Sequence, residues 1–171
     1  MKHLYPILSL LLLTTVSACS HIPGFGSGPK QDRVVGHWQV MTTAKGKPDA
    51  LCYAQTVPIK SQSAVKDRET PYLMATRRIS GKIEISVSAG YAFKKNRKVT
   101  LTVDKTPYRL FFHDNVAWAK SDDDDKDIIT ALKKAHKVEV RATAKSGGTS
   151  VDTYSADGFA PALARVKQLC P

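Results

Sequence analysis

The sequence lacks any apolar run long enough to cross a bilayer, which takes about 20 consecutive apolar residues. Its longest apolar run extends only from Leu4 to Val16. Lys2 precedes this run, and the small residues Ser17 and Ala18 follow it. A positive start, a short apolar stretch and a small-residue cleavage site are typical of a secretory signal peptide. We therefore interpret residues 1–18 as a signal peptide and expect the chain to fold outside the cytoplasm.

The residues around the expected cleavage site indicate a lipid anchor. The segment Val16-Ser17-Ala18-Cys19 resembles the bacterial lipobox, in which the cysteine is lipidated and becomes the first mature residue. We predict that acyl chains such as palmitate on Cys19 hold the protein in the cell envelope, since several chains on one residue give stable anchoring. An Asp directly after the lipidated cysteine would favour the inner membrane. Ser20 stands at that position and therefore favours the outer membrane, with the domain facing the periplasm or the cell surface. The alternative is an ordinary secreted protein whose signal peptide ends near a cysteine.

The residues after Cys19 divide into a linker and a domain. Residues 20–33 are rich in Gly, Pro and Ser and show no periodicity, which is typical of a flexible tether. We predict a signal peptide at 1–18, the lipidated cysteine and tether at 19–33, and a single β-rich domain at 34–171. Roughly 150 mature residues suffice for one hydrophobic core.

Cysteine is scarce, with only three residues in the chain. If Cys19 carries lipid, Cys52 and Cys170 remain as an even pair in an oxidising compartment. We predict a disulfide between them, which would tie down the C-terminus. Two buried free thiols are the alternative.

Alternation of apolar and polar residues dominates the domain. It is clearest at residues 83–87, 99–103 and 138–142, and each pattern predicts a strand with one buried face. Short links between the segments favour antiparallel pairing. The predicted fold is mainly β: an antiparallel β-sandwich or partly closed sheet.

Two segments change to a helical period, at about 127–137 and 158–169. We interpret Asp122–Asp125 as capping the first of these helices, because an EF-hand loop would need spaced ligands and a central glycine. The fold prediction thus includes two short helices.

Sequence motifs of enzymes, metal sites and nucleic-acid binding are missing. The chain has no G-x-S-x-G, no H-E-x-x-H, no Cys/His cluster and no RNP motif. Ser63-Ala-Val-Lys66 and Lys145-Ser146-Gly147 match the loose motifs of penicillin-binding proteins, but the chain has no room for their helical subdomain. His37, His113 and His136 could also pair with an acid. We predict no catalytic residue, no metal, no cofactor and no nucleic-acid partner, and a small envelope hydrolase stays the alternative.

Acidic residues are few: 26 Lys and Arg oppose 15 Asp and Glu. Such an excess attracts anionic surfaces. Outside the cytoplasm these are anionic lipid, lipopolysaccharide or glycan. The candidate binding residues are Arg77, Arg78, Lys82, Lys94, Lys95, Arg97 and Lys98. The alternative is surface charge that serves solubility only.

Six short motifs along the domain occur in a recognisable order. They are Trp38-Gln39-Val40; Leu51-Cys52-Tyr53-Ala54-Gln55; Ile85-Ser86-Val87-Ser88-Ala89-Gly90-Tyr91; Ala117-Trp118-Ala119; Gly148-Thr149 with Asp152-Thr153-Tyr154-Ser155; and Gly158-Phe159 with Ala162-Leu163. Together they resemble the invasion-associated locus B family of alphaproteobacterial envelope proteins, over essentially all of residues 34–170. The resemblance implies a β-rich exported domain associated with the envelope and, in some pathogens, with host-cell invasion.

The chain departs from this family in its cysteines. A typical member has a cysteine where this chain has Met41-Thr42, and a cysteine pair around the segment Phe111–Trp118. The usual disulfide pattern therefore cannot be carried over, and the family transfers no active site. We expect a membrane-tethered, non-enzymatic binding domain with a role in host interaction or envelope integrity; an accessory or inhibitor subunit of an envelope complex is a further alternative.

Overall fold

The computed structural model describes residues 28–43 and 50–170, so the predicted signal peptide and Cys19 lie outside the described residues. The elements in chain order are β1 (Lys30–Val35), β2 (Trp38–Thr42), β3 (Cys52–Thr56), β4 (Lys60–Ser63), β5 (Tyr72–Arg77), β6 (Ile83–Ser88), β7 (Val99–Val103), β8 (Thr106–His113), β9 (Val116–Trp118), α1 (Asp122–Leu132), β10 (Lys137–Thr143), β11 (Thr149–Ser155) and α2 (Phe159–Leu169).

In the described part of the chain, eleven strands form one sheet in the order β1-β2-β3-β5-β6-β9-β8-β7-β10-β11-β4. Every pair of neighbours in this order is antiparallel. Strand β8 joins the two halves, since its first five residues pair with β7 and its last three with β9. The predicted fold class is confirmed: mainly β, antiparallel and not closed, with two helices.

The clearest alternation in the sequence faces the core, as predicted. Leu101 of β7 lies opposite Val140 of β10, and Val103 lies opposite Val138. All four side chains are buried. Strand β4 carries no alternation that could predict it, because its sequence, Lys-Ser-Gln-Ser, has no apolar residue and all four residues are exposed.

The sheet curls until β2 and β11 meet. The Trp38 indole donates a hydrogen bond to the carbonyl of Ser155 (3.2 Å), and the His37 amide donates to the carbonyl of Asp157 (3.2 Å). Gly36 permits this approach, since it has φ +58° and a Cβ there would lie 2.4 Å from the Asp157 carbonyl oxygen. The Trp38 side chain and the backbone of the β1–β2 turn therefore hold the β2 side of the sheet against the end of β11.

Helix α2 covers the inner face beside β2 and β3. Phe159 packs on Trp38 with ring centroids 4.9 Å apart, and both are fully buried. Pro161 lies in the first turn, where its missing N–H costs no helical hydrogen bond. A disulfide joins Cys52 of β3 to Cys170 after the helix, which confirms the predicted pair.

Helix α1 differs in position from its prediction. It spans Asp122–Leu132 rather than about 127–137, because Ser121 is the N-cap and accepts a hydrogen bond from the Asp124 amide (3.2 Å). The aspartates thus form the first turn, where carboxylates interact favourably with the helix dipole. The helix ends early because the chain must turn before β10 begins at Lys137.

Strand β1 begins within the predicted tether. Its first four residues, from Lys30, belong to the segment 19–33. Asp32 lies at a register shift in β1 and accepts two hydrogen bonds from Arg165 of α2, at 2.8 and 2.9 Å. These hydrogen bonds hold the pKa of Asp32 down at about 2. The bulge and the ion pair fasten an edge strand to the helix beneath it.

Asp125 makes the docking of α1 sensitive to pH. Its carboxylate accepts a hydrogen bond from the Ile85 amide (2.7 Å), and burial raises its pKa to about 6. Folding therefore favours the protonated form, so the stability linked to this group is present below the unfolded pKa of 3.8 and lost as pH rises through 6. We expect Asp125→Asn to raise the free energy of unfolding by roughly 1–3 kcal/mol at pH 8 and by little at pH 4.

Urea denaturation at both pH values measures this difference. Asp127→Asn, at an exposed position two residues further along α1, serves as the control and should show no comparable change in stability between the two pH values. An Asp125→Asn effect of equal size at pH 4 and pH 8 contradicts the prediction.

Candidate anion-binding site

The structure separates the candidate anion-binding residues into two groups at opposite ends of β6. Arg77 pairs with Ile83 at the start of that strand, whereas Ser88, at its end, pairs with Val116 and so lies beside the β8–β9 turn. The group Arg77, Arg78 and Lys82 lies at the first end. The group Lys94, Lys95, Arg97 and Lys98 lies at the second.

The first group is engaged in local contacts. Arg77 donates to the carbonyl of Gly81 (2.6 Å), which closes the β5–β6 turn. Arg78 forms an ion pair with Glu84, and Lys82 forms one with Asp122 of α1. The nearby carboxylates offset much of the positive charge of this group.

The second group is exposed, and none of its four side chains forms an ion pair within residues 28–43 and 50–170. Its backbone is fixed: the Lys94 amide donates to the Thr143 carbonyl (2.9 Å), and the Arg97 amide to the Lys94 carbonyl (3.2 Å). Asn96 occupies the left-handed region, with φ 63°, between them. The four cations therefore project from an ordered loop.

Two hairpin turns lie against this loop and form a recess with it. The Phe93 amide donates to the Asp114 carbonyl in the β8–β9 turn, and the Lys145 amide, in the β10–β11 turn, donates to the Ala92 carbonyl, both at 2.8 Å. The recess has a volume of about 380 Å³. Its lining consists of Ala92, Phe93, Lys95, Phe112, His113, Asp114 and Lys145.

The recess combines an aromatic floor with a positive rim. Phe93 and Phe112 meet edge to face with centroids 5.3 Å apart, and Tyr91 adjoins Phe93 at 6.0 Å. Lys95 and Lys145 lie on the rim. Asp114 is the single acidic residue in its lining. We name this assembly the basic recess: residues 92–98, 112–114 and 145.

Lys145 is the functional candidate that the charge clusters missed. It stands alone in the sequence, 47 positions after Lys98. Only the pairing of β10 with β11 and the contacts of Ala92 bring it to the same recess. The sequence marks Lys145 only as part of the loose Lys145-Ser146-Gly147 motif and not as an anion-binding residue.

A buried polar network supports the loop before β5. The Asp152 carboxylate is fully buried and accepts hydrogen bonds from Arg68 (2.7 Å), Ser61 and Ser150 (3.3 Å). The Tyr91 hydroxyl lies 2.7 Å from the Ser150 hydroxyl, which links this network to the aromatic floor of the basic recess. Burial raises the pKa of the Tyr91 hydroxyl. The network was not predicted, because its members are spread over more than 90 residues.

The motifs that favoured a hydrolase do not assemble a reactive serine in the described residues. The loop from Ser63 to Lys66 does lie beside the β10–β11 turn, since the Ala64 amide donates to the Thr149 carbonyl (3.2 Å). The Ser63 hydroxyl, however, accepts a hydrogen bond from the Val65 amide (3.0 Å). It therefore belongs to a turn at the end of an exposed strand.

The three candidate histidines lie in different places. His37 is in the β1–β2 turn, His113 lines the basic recess, and His136 lies 3.7 Å from an Asp157 carboxylate oxygen. Each is exposed, and none makes a side-chain hydrogen bond shorter than 3.5 Å within the described ranges. The structure does not bring them together.

A second groove lies between the two helices, with a volume of about 280 Å³. Its rim includes Lys82, Lys126, Lys133 and Lys167. Two of these, Lys82 and Lys126, are paired with Asp122 and Asp123. This groove therefore has a mixed charge and is the weaker anion site.

In the part of the chain that the structure describes, no helix is both long and apolar enough to cross a membrane. Within the same residues, no group of three or more His, Cys, Asp or Glu side chains is arranged to hold a metal ion.

A family model described as Invasion associated locus B (IalB) protein matches residues 38–167. The chain belongs to this family. Among solved structures, the crystal structure of invasion associated protein B from Bartonella henselae is similar to it, with a TM-score of 0.58 and 15% sequence identity. The match covers 80% of this chain and 96% of that chain, and at this identity it shows a shared fold. No curated protein matches the sequence.

As an invasion associated locus B protein, the chain has an aromatic pair at the ends of the segment around which the resemblance implied a cysteine pair. Phe111 and Trp118 lie opposite each other on β8 and β9. Their rings stack with centroids 5.4 Å apart, and Phe111 is half exposed. Cross-strand aromatic packing thus links β8 and β9 in this member of the family.

Proposed function

We propose that this chain is a lipid-anchored, non-enzymatic envelope protein of the invasion associated locus B family that binds phosphate-bearing lipid surfaces through the basic recess. The observation that carries the proposal is an aromatic-floored recess lined by Lys95 and Lys145, with Lys94, Arg97 and Lys98 exposed on the adjoining loop. Arg77, Arg78 and Lys82 are left out of the proposed site, because nearby groups already engage them. Lipopolysaccharide phosphates and anionic phospholipids share the chemistry that such a site recognises.

The lining of the recess supports binding rather than catalysis. It contains one histidine and no serine, threonine or cysteine that could act as a nucleophile. Within the described residues, no hydrogen bond between a histidine side chain and a carboxylate would orient a general base. The hydrolase alternative would need both a nucleophilic side chain and an oriented general base.

Binding to anionic vesicles tests the proposed site. We expect the protein without lipid (Cys19→Ser) to bind phosphatidylglycerol vesicles at low salt and to dissociate as salt rises, since screening shortens the Debye length to about 10 Å at 0.1 M. Changing Lys94, Lys95, Arg97 and Lys98 to Gln should weaken the binding at least about a hundredfold, because each cation near such a surface contributes about 1 kcal/mol. Flotation of vesicles with bound protein measures both effects.

A charge-matched control lies at the other end of the domain. The variant with Lys82, Lys126, Lys133 and Lys167 changed to Gln loses the same four charges from the mixed groove. It should bind within a few-fold of the unsubstituted protein. Equal losses in both variants would mean that net charge alone drives binding, and the proposed site would be wrong.

The lipid anchor has its own test. We expect Cys19→Ser to move the protein from the membrane fraction to the soluble fraction, because acyl chains on this residue supply the anchoring free energy. Metabolic labelling with palmitate should mark the unsubstituted protein and leave the variant unlabelled. Cys52→Ser, which breaks the disulfide but leaves the lipid site intact, should stay with the membrane. A Cys19→Ser protein that still sediments with membranes contradicts the anchor.

The outer membrane is the proposed location, on the basis of Ser20 after the lipid site. A second candidate function, as an accessory subunit of an envelope complex, is favoured by the half-exposed Phe111 stacked on Trp118. Such an aromatic surface suits a protein partner. A pull-down from solubilised envelopes is the experiment that separates this candidate from lipid binding.

A further inference from the structure

The domain receives its tether at the end of the sheet opposite the basic recess. Lys30, the first residue of β1, pairs with Thr42, which pairs with Cys52. Cys52 pairs with Arg77, and Arg77 pairs with Ile83. This row crosses five strands at one end of the sheet. The residues before it therefore leave the domain at the end that carries the β5–β6 turn.

The basic recess belongs to the other end of the same strands. A second row of pairs runs from Tyr72 through Ser88 and Val116 to His113, which lines the recess. Along β6 alone, the five steps from Ile83 to Ser88 separate the two rows by about 17 Å at a rise of 3.3 Å per residue. The loop of 94–98 lies beyond the second row.

The two ends of the sheet also differ in how many of their cations are paired with carboxylates. The end nearer the tether has a mixed charge: in the acidic first turn of α1, Asp122 and Asp123 pair with Lys82 and Lys126, while Lys133 and Lys167 form no ion pair within the described residues. At the far end, the cations of the basic recess have no ion pair within the described residues. An anionic surface is thus complementary to the end that points away from the tether.

The length of the tether limits which surface this end can meet. The 11 residues from Cys19 to Pro29 can span at most about 37 Å, whatever their conformation. The folded domain has a diameter of roughly 37 Å by the usual scaling with chain length. The basic recess could touch the anchoring membrane only if the tether were stretched to its limit along the side of the domain.

We propose that the basic recess binds a phosphate-bearing lipid surface in trans, on a bilayer other than the one that holds the anchor. This inference rests on the proposed function, because it requires both the lipid on Cys19 and the anion site. The anchor holds one end of the domain while the opposite end engages the facing bilayer. The protein therefore acts as a short bridge between two lipid surfaces.

A vesicle-bridging experiment tests the proposal with the lipidated full chain. The protein is reconstituted into phosphatidylcholine vesicles and mixed with fluorescent phosphatidylglycerol vesicles, and co-flotation of the two populations is measured. We expect bridging, with at least a tenfold loss in the variant with Lys94, Lys95, Arg97 and Lys98 changed to Gln. The control with Lys82, Lys126, Lys133 and Lys167 changed to Gln should bridge normally.

A second arm places phosphatidylglycerol in the anchoring vesicles as well. Bridging should persist there, because the short tether keeps the recess away from its own membrane. Inserting about 20 Gly/Ser residues after Ser27 should reduce bridging in this arm, since the longer tether lets the recess fold back. Loss of bridging with the natural tether, when the anchoring vesicles are anionic, overturns the proposal.

The outcomes separate this inference from the proposed function. If the lipid-free protein binds phosphatidylglycerol vesicles but the anchored protein does not bridge, the anion site stands and the trans arrangement is wrong. If neither form binds, the anion site itself is wrong. Circular dichroism and thermal melting of each variant establish that it is folded.

Discussion

Replacing Cys52 and Cys170 together by Ala is expected to lower the free energy of unfolding by about 3–5 kcal/mol, because the disulfide closes a loop of more than 100 residues and so restricts the unfolded chain. The two cysteines are 118 positions apart, close to the full length of the domain. The bond also ties the end of α2 to β3, where Cys52 is fully buried. The melting temperature should fall by about 10 °C or more.

Reduction provides the matched control for this variant. Dithiothreitol should lower the melting temperature of the unsubstituted protein to about that of the double variant, and should leave the double variant unchanged. Calorimetry or circular dichroism measures both. A double variant that melts within two or three degrees of the oxidised protein would show that the disulfide contributes little.

Breaking the buried ion pair between Arg68 and Asp152 should have a similar effect on stability. The Asp152 side chain has no exposed surface, and Arg68 donates to it at 2.7 Å. Arg68→Met leaves that carboxylate with only the hydroxyls of Ser61 and Ser150. Removing one member of a buried pair typically costs about 3–5 kcal/mol, so we expect a loss of that size in urea denaturation.

A double-substitution cycle distinguishes the ion pair from simple loss of packing. Arg68→Met combined with Asp152→Leu removes both charges, and the double variant should be more stable than Arg68→Met alone. The exposed pair of Arg78 and Glu84 is the comparison, since Arg78→Met there should cost no more than about 1 kcal/mol. Strict additivity of the two core substitutions would contradict a coupled pair.

Much of the fold could be predicted because its signals are local. In β7 and β10, the alternation of apolar and polar residues shows which face of the strand is buried. Five consecutive residues are enough to recognise this pattern. The prediction failed where the local signal was absent or ambiguous. Strand β4 has no apolar residue, and the start of α1 was displaced by five residues because Ser121, not the aspartate run, caps it.

The anion site could be predicted only in part. The cluster at 94–98 is contiguous in the sequence, so its charge is visible there. The sequence could not show that Arg78 and Lys82 would meet carboxylates, because Asp122 lies 40 residues away from Lys82. For the same reason it could not place Lys145 beside Lys95. Charge composition predicts that a site exists, whereas pairing decides which cations remain available.

The amino-acid sequence by itself determined the strand pattern, the excess of positive charge, the even pair Cys52 and Cys170, and the family. These properties follow from residue type and short-range spacing. The tertiary structure alone decided that the basic recess and the start of the domain lie at opposite ends of the sheet. Antiparallel pairing across eleven strands sets that arrangement, and such pairing joins residues that are far apart in the chain.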